Sequence, residues 1–117
     1  MELAVLVKQV PDTDDVTLDP EKGTLVREGV GALMNPLDLN ALEAALEAKR
    51  RFGGAVTVLS MGPPPTEGVL KEALALGADR GVLLSDRAFA GADTWATSLV
   101  LAEALRRLGP FDLILAG

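Results

Sequence analysis

The stretch VTVLSMGPPPTEGVLKEALALGADRGVLLS, residues 56–85, contains two short apolar runs separated by one helical pattern. The runs are VTVLS at 56–60 and GVLLS at 81–85, and the helical pattern extends from about Thr66 to Leu76. Runs of this length, rich in Val and Leu, are typical of strands that are buried on both faces of a parallel sheet. A strand, a helix and a second strand in this order predict a βαβ unit with a right-handed crossover.

The same alternation extends to both sides of this unit. Two further apolar runs are LAVLV at 3–7 and LILA at 113–116, and helical patterns occupy residues 37–52 and about 93–108. Together they predict an α/β fold with a parallel sheet flanked by helices. We interpret the chain, 1–117, as a single α/β domain. We expect it to be truncated at its carboxyl end, because it stops just after a good strand.

One segment does not follow the alternation of strands and helices. Residues 16–28, VTLDPEKGTLVRE, contain two short β-prone pieces around an acidic turn with Pro20 and Gly23. Such a pattern predicts a β-hairpin, inserted before the first helix.

Local signals indicate where the helices begin and which faces they bury. Asn35 is a favoured N-cap residue, and Pro36 suits the first helical position. The first helix should bury an apolar stripe, formed by Leu39, Leu42 and Leu46 and widened by Ala41 and Ala45. The third helix should bury a similar stripe, formed by Leu101, Leu105 and Leu108 and broadened by Trp95 and Leu99.

The composition argues against several classes of function. The chain has a net charge of -6 and contains no Cys, no His and no Tyr. Negative charge argues against nucleic acid as a main partner, because phosphate binding needs an excess of Lys and Arg. Without Cys and His, thiol nucleophiles, imidazole bases and nearly all zinc sites are absent. A binding or carrier role is favoured over catalysis, no metal site is expected, and cytoplasm is the expected compartment.

Candidate binding residues follow the strands, because open α/β sheets bind ligands at the carboxyl edge. Lys8 follows the first strand, and Met61 lies between a serine and a glycine after the second. Asp93 and Thr94 stand at the expected start of the third helix, where backbone N–H groups favour an anion. Other interpretations stay open: Lys8 as a solvated strand end, Met61 as a gap-filler, and Asn35, Asp93 and Thr94 as capping residues only. Neither G-x-G-x-x-G nor a P-loop motif is present.

Several stretches, taken together and in this order, resemble the beta (small) subunit of electron transfer flavoprotein. They are VLVKQVPDT, GTLVREGV, MNPLDLNALEAAL, TVLSMGPP, EALALGADRGVLLSDRAFAGADT and FDLILAG. The resemblance covers essentially the whole chain. It implies a Rossmann-like α/β fold of the nucleotide-binding type, related to the adenine nucleotide α-hydrolases, in which the inserted hairpin has a place.

The resemblance also implies the role of an electron carrier without catalytic residues of its own. In this family the beta subunit pairs with an alpha subunit, and FAD lies mainly on the alpha side. The heterodimer takes electrons from flavin dehydrogenases, such as those that oxidise acyl-CoA, and passes them to a quinone reductase or another acceptor. The beta subunit buries an AMP, or a second FAD in the electron-bifurcating branch.

Carried over by motif position, the residues of the expected nucleotide pocket are Leu6, Lys8, Asn35, Met61, Asp93, Thr94 and Thr97. In the family, the strand that resembles FDLILAG is followed by a Lys–Gln pair and a loop rich in Gly and Asp that holds the phosphate. This chain ends at Gly117, before that loop, so we expect it to be the amino-terminal portion of the subunit.

Two alternatives of other classes share the broad fold. A stand-alone adenine-nucleotide-binding module of the stress-protein type would carry G-x-x-G followed by G-[ST] late in the chain. A ligase would carry an early S-G-G-x-D-S phosphate loop. Neither motif is found in the sequence.

Overall fold

The computed structural model describes residues 1–11, 17–18, 25–26, 32–85 and 94–117. Within these ranges strands and helices alternate, with one 3-10 turn at Pro64–Thr66 before the second helix. The elements are β1 (Glu2–Leu6), β2 (Gln9–Pro11), β3 (Thr17–Leu18), β4 (Leu25–Val26), β5 (Ala32–Met34), α1 (Pro36–Phe52), β6 (Ala55–Met61), α2 (Glu67–Leu76), β7 (Arg80–Leu84), α3 (Thr94–Leu108) and β8 (Leu113–Ala116).

Four of these strands form a parallel sheet in the order β7-β6-β1-β8. β1 lies inside the sheet, where Val5 is opposite Val58 of β6 on one side and opposite Leu115 of β8 on the other. The connections from β1 to β6 and from β6 to β7 run towards one edge, and the connection from β7 returns to the other edge. The predicted α/β class, with a parallel sheet flanked by helices, is confirmed.

The core lies between the two inner strands and the first two helices. Leu3, Val5 and Val7 of the β1 segment and Val56 and Val58 of β6 are almost completely buried. They pack against buried side chains of α1 and α2, which are Ala41, Leu42, Ala45, Val69, Leu70 and Ala73. The stripe predicted for α1 is confirmed, with Leu42 at its centre and with Leu39 and Leu46 packed at its margins.

The ends of α1 follow from local hydrogen bonding. The side chain of Asn35 accepts a hydrogen bond from the backbone N–H of Leu37, and Pro36 occupies the first turn, as predicted. At the other end Gly53 has φ 75, a left-handed conformation that favours glycine, and its N–H donates to Lys49 O. The helix therefore begins and ends at residues whose chemistry satisfies the free backbone groups of its terminal turns.

The predicted hairpin is confirmed in its two paired strands. β3 and β4 run antiparallel, with Thr17 opposite Val26 and Leu18 opposite Leu25, and the turn between them lies outside the described residues. A second antiparallel pair was not predicted: β2 lies beside β5, with Gln9 opposite Met34. This second pair brings the chain that leaves β1 back to the start of α1.

The prediction that all four strands are buried on both faces was wrong for the two outer ones. Leu113 and Ile114 of β8 are 45% and 49% exposed, and Arg80 and Gly81 of β7 are also exposed. Continuous apolar runs do not distinguish an inner strand from an outer one, because the distinction depends on neighbours that are distant in sequence. In the described part of the chain only β1 and β6 have a strand on each side.

The stripe predicted for α3 is narrower than expected. Leu101, Leu105 and Leu108 are partly buried, whereas Leu99 is 55% exposed. An α-helix turns by about 100° per residue, so Leu99 lies about 160° around the helix from Leu101, nearly on its opposite side. The side chain of Trp95 lies outside the described residues. None of the helices in the described part of the chain is both long and apolar enough to cross a membrane.

Candidate functional site

A crevice of about 520 Å³ opens at the carboxyl edge of the parallel sheet. Its walls come from the ends of β1, β6 and β8, from the first turn of α1 and from one side of α3. The lining residues are Leu6, Val7, Lys8, Asp38, Leu59, Met61, Thr97, Ser98, Leu101 and Ala116. Apolar side chains predominate, and a few polar groups converge on the same space, as in small-molecule sites generally.

The position of the crevice follows from the strand order. β1 is followed in sequence by a connection to β6 on one side, whereas β8, its other neighbour, is reached only after the chain has passed through β7. The strand order therefore reverses beside β1: the connections from β1 and β6 run towards β7, and the connection from β7 returns to β8. Such switch points are where open α/β sheets bind ligands.

The structure brings together four of the seven residues predicted for the nucleotide pocket. Leu6, Lys8, Met61 and Thr97 all line the crevice, although they come from three different elements and from the loop after β1. The side chain of Lys8 is exposed at the rim.

The other three predicted pocket residues lie elsewhere or outside the described residues. Asn35 lies beside the crevice and is not part of its described lining. Thr94 is the first residue of α3, but its side chain is outside the described residues, and so is all of Asp93. The anion site predicted at the start of α3 is therefore outside the described structure.

Asn35 organises the turn between the strand pair and α1. Its backbone N–H donates to Lys8 O at 2.9 Å, and its side-chain oxygen accepts from Leu37 N at 3.2 Å. Its carbonyl accepts from the N–H groups of Asp38 and Leu39, at 2.9 and 3.1 Å. Because Pro36 has no N–H, the first turn of α1 has already used its backbone donors, so this helix start is not an open anion site.

Asp38 is one of six crevice residues that were not predicted from the sequence, and it is the one that carries a charge. It is only 6% exposed, and its Oδ2 accepts a hydrogen bond from the backbone N–H of Lys8 at 2.8 Å. The sequence does contain a signal for it. Asp38 precedes Leu42 by one helical turn, so a carboxylate occupies the apolar face of α1, where a buried charge needs a specific partner.

A second group of polar side chains lies where β6 runs into the proline-rich loop. Thr66, almost fully buried, donates through Oγ1 to Gln9 Oε1 at 3.0 Å. A Cβ atom on Gly62 would lie 2.5 Å from Thr66 Oγ1, so the glycine at this position leaves the space that Thr66 occupies. Ser60 Oγ is fully buried and has no hydrogen-bond partner among the described residues.

The clearest electrostatic perturbations lie away from the crevice. Asp79 lies at the amino edge of the sheet. Its pKa is lowered mainly by a hydrogen bond from the Lys49 side chain and, to a smaller extent, by one from the backbone N–H of Val56. On the surface of α3, a hydrogen bond from Arg107 and the charge of Arg106 lower the pKa of Glu103. Among the described residues, no group of three or more acidic, His or Cys side chains is arranged to hold a metal ion.

Comparison with known proteins identifies the family. Residues 22–117 match the family described as "Electron transfer flavoprotein domain". Over 117 residues the chain is 56% identical to "Electron transfer flavoprotein subunit beta" of Clostridium acetobutylicum, covering 100% of this chain and 45% of that protein. It is 54% identical over 118 residues to "Caffeyl-CoA reductase-Etf complex subunit CarD" of Acetobacterium woodii, again covering 100% of this chain and 45% of that protein.

A further relative is "Protein FixA" of Bradyrhizobium diazoefficiens, 52% identical over 117 residues that cover 97% of this chain and 41% of that protein. The chain thus spans less than half the length of these relatives and corresponds to their amino-terminal portion. The resemblance drawn from the sequence motifs is confirmed: the chain belongs to the electron transfer flavoprotein family.

Proposed function

We propose that this chain is the amino-terminal portion of the beta subunit of an electron-carrying flavoprotein. With an alpha subunit it forms a heterodimer that contains FAD, held mainly on the alpha side. The heterodimer receives electrons from flavin dehydrogenases, such as acyl-CoA dehydrogenases, and delivers them to a quinone reductase or another acceptor. The observation that carries the proposal is a crevice at the switch point of the sheet in a chain of this family.

The crevice is proposed to bind AMP as a structural ligand. Its volume, about 520 Å³, falls in the range of about 300–1,000 Å³ that is common for small-molecule sites. Leu6, Met61 and Leu101 offer an apolar surface suited to a purine ring, and Thr97 adds a hydroxyl. Lys8 stands at the rim and forms no ion pair with a described residue, so its ammonium is available to an anionic group. FAD is the alternative occupant, as expected for the electron-bifurcating branch.

The chain is proposed to act without catalytic residues of its own. When bound, FAD supplies the redox chemistry, while the protein supplies position and electrostatic environment. The absence of Cys, His and Tyr from the chain favours this division of labour. Cytoplasm remains the proposed compartment.

The relatives bear on the choice of partner. The name of the Acetobacterium woodii relative places that protein in a complex with a caffeyl-CoA reductase. By analogy, we propose that the partner of this protein is an enzyme that oxidises or reduces a CoA thioester. A stand-alone nucleotide-binding module has less support, because the family match covers most of the chain.

Purification of the full-length beta subunit with its co-expressed alpha subunit tests this function. We expect a 1:1 complex whose visible spectrum shows flavin, and whose flavin is bleached by a flavin dehydrogenase in the presence of its acyl-CoA substrate. The control omits the acyl-CoA substrate and should leave the flavin oxidised. A complex without flavin, or a beta subunit that binds ATP tightly as a monomer and ignores the alpha subunit, would contradict the proposal.

A further inference from the structure

We propose that Asp38 is a positioning residue of the crevice: its carboxylate ties the end of β1 to the start of α1 and holds both beside the end of β8. This inference rests on the proposed function, because it takes the crevice to be the AMP site. Asp38 affects ligand binding through the backbone that it holds in place.

The first observation is a reciprocal pair of hydrogen bonds between two chain segments. Lys8 N donates to Asp38 Oδ2 at 2.8 Å, and Lys8 O accepts from Asn35 N at 2.9 Å. Both backbone groups of Lys8 are therefore used by the segment that begins α1. Since the Asp38 carboxylate is nearly inaccessible to solvent, water cannot readily replace the hydrogen bond that it accepts from Lys8 N.

The second observation links the same carboxylate to the neighbouring strand. A Cβ atom on Gly117 would lie 2.5 Å from Asp38 Oδ1 and 2.5 Å from the carbonyl carbon and oxygen of Leu37. The chain leaving β8 thus passes directly against the first turn of α1, close enough that only glycine fits. The Asp38 side chain therefore lies against the residues that follow both strands at the switch point, Lys8 and Gly117. Lys8, Asp38 and Ala116, the last residue of β8, line the crevice.

A second hydrogen bond from a backbone N–H to a carboxylate, at the opposite edge of the sheet, provides a matched control. Asp79 Oδ2 accepts a hydrogen bond from Val56 N, at the start of β6, and the distance is again 2.8 Å. Both bonds join a carboxylate to the backbone N–H of a strand end, and both are partly buried. Asp79 does not line the crevice, so its loss should affect the strand end that it holds without affecting the crevice.

The test compares four forms of the full-length subunit, stripped of nucleotide: wild type, Asp38→Ala, Asp38→Asn and Asp79→Ala. Calorimetric titration with AMP gives the dissociation constant. Hydrogen–deuterium exchange without ligand, resolved to single amides, measures protection of the N–H groups of Lys8 and Val56. The Asn variant keeps an oxygen that can accept from Lys8 N and removes only the charge.

We expect Asp38→Ala to weaken AMP binding at least tenfold and to speed exchange at Lys8 at least tenfold before any ligand is added. Asp38→Asn should stay within threefold of wild type in both measurements. Asp79→Ala should speed exchange at Val56 and keep the AMP dissociation constant within twofold of wild type.

Three results would overturn the proposal. If exchange at the Lys8 N–H is unchanged in Asp38→Ala, the hydrogen bond from Lys8 N to Asp38 does not order the backbone. Any loss of AMP affinity would then reflect direct contact between Asp38 and AMP. Faster exchange with unchanged AMP binding would make Asp38 merely structural. An Asn variant as weak as the Ala variant would assign the effect to charge. If the wild type binds no AMP, the proposed ligand is wrong. Hydrogen–deuterium exchange at the Lys8 N–H then decides by itself whether Asp38 orders the backbone beside the crevice.

Discussion

Lys49 Nζ lies 2.8 Å from both carboxylate oxygens of Asp79, and one of these oxygens also accepts a hydrogen bond from Val56 N. This arrangement joins the last turn of α1, the loop before β7 and the start of β6. The amino edge of the sheet is therefore tied to the helix that covers it through a single carboxylate.

Asp79 should make the stability of the protein depend on pH in the acid range. Its pKa is lowered by the Lys49 and Val56 hydrogen bonds, so its contribution is complete above the unfolded-state pKa of about 3.9 and is lost as the pH falls through the lower folded-state pKa. The side chains of Lys49 and Asp79 are 30% and 40% exposed, so solvent screening limits the effect of Asp79→Asn to about 1 kcal/mol or less.

Urea unfolding at several pH values between 3 and 7 measures this dependence. Asp79→Asn should lose stability at pH 7 and approach the wild type at pH 3. The control is Glu43→Gln, which removes an exposed carboxylate of α1 that forms no ion pair with a described residue, and it should leave the curve almost unchanged. If the stability of Asp79→Asn changed with pH in parallel with that of the wild type, Asp79 would not be a source of the pH dependence.

Leu42 should be among the costliest side chains to truncate. It is completely buried at the centre of the apolar face of α1, so Leu42→Ala leaves a cavity against β1 and should cost about 2–5 kcal/mol in free energy of unfolding. Leu99→Ala, on the outer side of α3, should cost less than about 0.5 kcal/mol, since Leu99 is mostly exposed. Denaturant unfolding of both variants checks the contrast, and equal losses would mean that α3 is buried on the other side.

Gly62 should not tolerate a side chain while Thr66 is present. In Gly62→Ala the new Cβ would press against Thr66 Oγ1 and disturb its hydrogen bond to Gln9, at a cost of about 1–3 kcal/mol. Combining Gly62→Ala with Thr66→Ala removes the clash, so the two effects should be less than additive by at least about 0.5 kcal/mol. A double-mutant cycle in urea measures the coupling, and strict additivity would show that the two residues do not meet.

Ser60 should behave differently from Thr66, although both hydroxyls are buried. Ser60 Oγ has no partner in the described structure, so Ser60→Ala removes an unsatisfied polar atom and should be neutral or stabilising by up to about 1 kcal/mol. Thr66→Ala, which removes a bonded hydroxyl, should destabilise the protein. Thermal melts of the two variants give the comparison. A loss from Ser60→Ala as large as that from Thr66→Ala would imply a partner for Ser60.

Local patterns in the sequence predicted much of the architecture. The four strands of the sheet and the start of α1 at Asn35 and Pro36 depend on composition, periodicity and capping within a few residues, and these features are readable along the chain. The pairing of β2 with β5 and the exposure of Leu113 were not predicted. Both depend on which segments become neighbours in space, and no local pattern contains that information.

The candidate site was predicted in part, for the same reason. Lys8 and Met61 follow strands directly, so the rule that ligands bind at the carboxyl edge was enough to select them. Asp38 was missed because its partners, Lys8 and Gly117, are 30 and more residues away in sequence. An acidic residue on an otherwise apolar helix face was the available signal, and it indicated burial without indicating the partner.

The most direct test of the proposed function is the identity of the small molecule that the crevice holds. The full-length beta subunit, purified with its alpha subunit, is denatured, and the released molecules are separated by chromatography with absorbance detection. We expect AMP and FAD in equal amounts, or two FAD per heterodimer if FAD replaces AMP in the crevice. A complex that releases one FAD and no second nucleotide would contradict the assignment of the crevice at Lys8 and Asp38 as a nucleotide site.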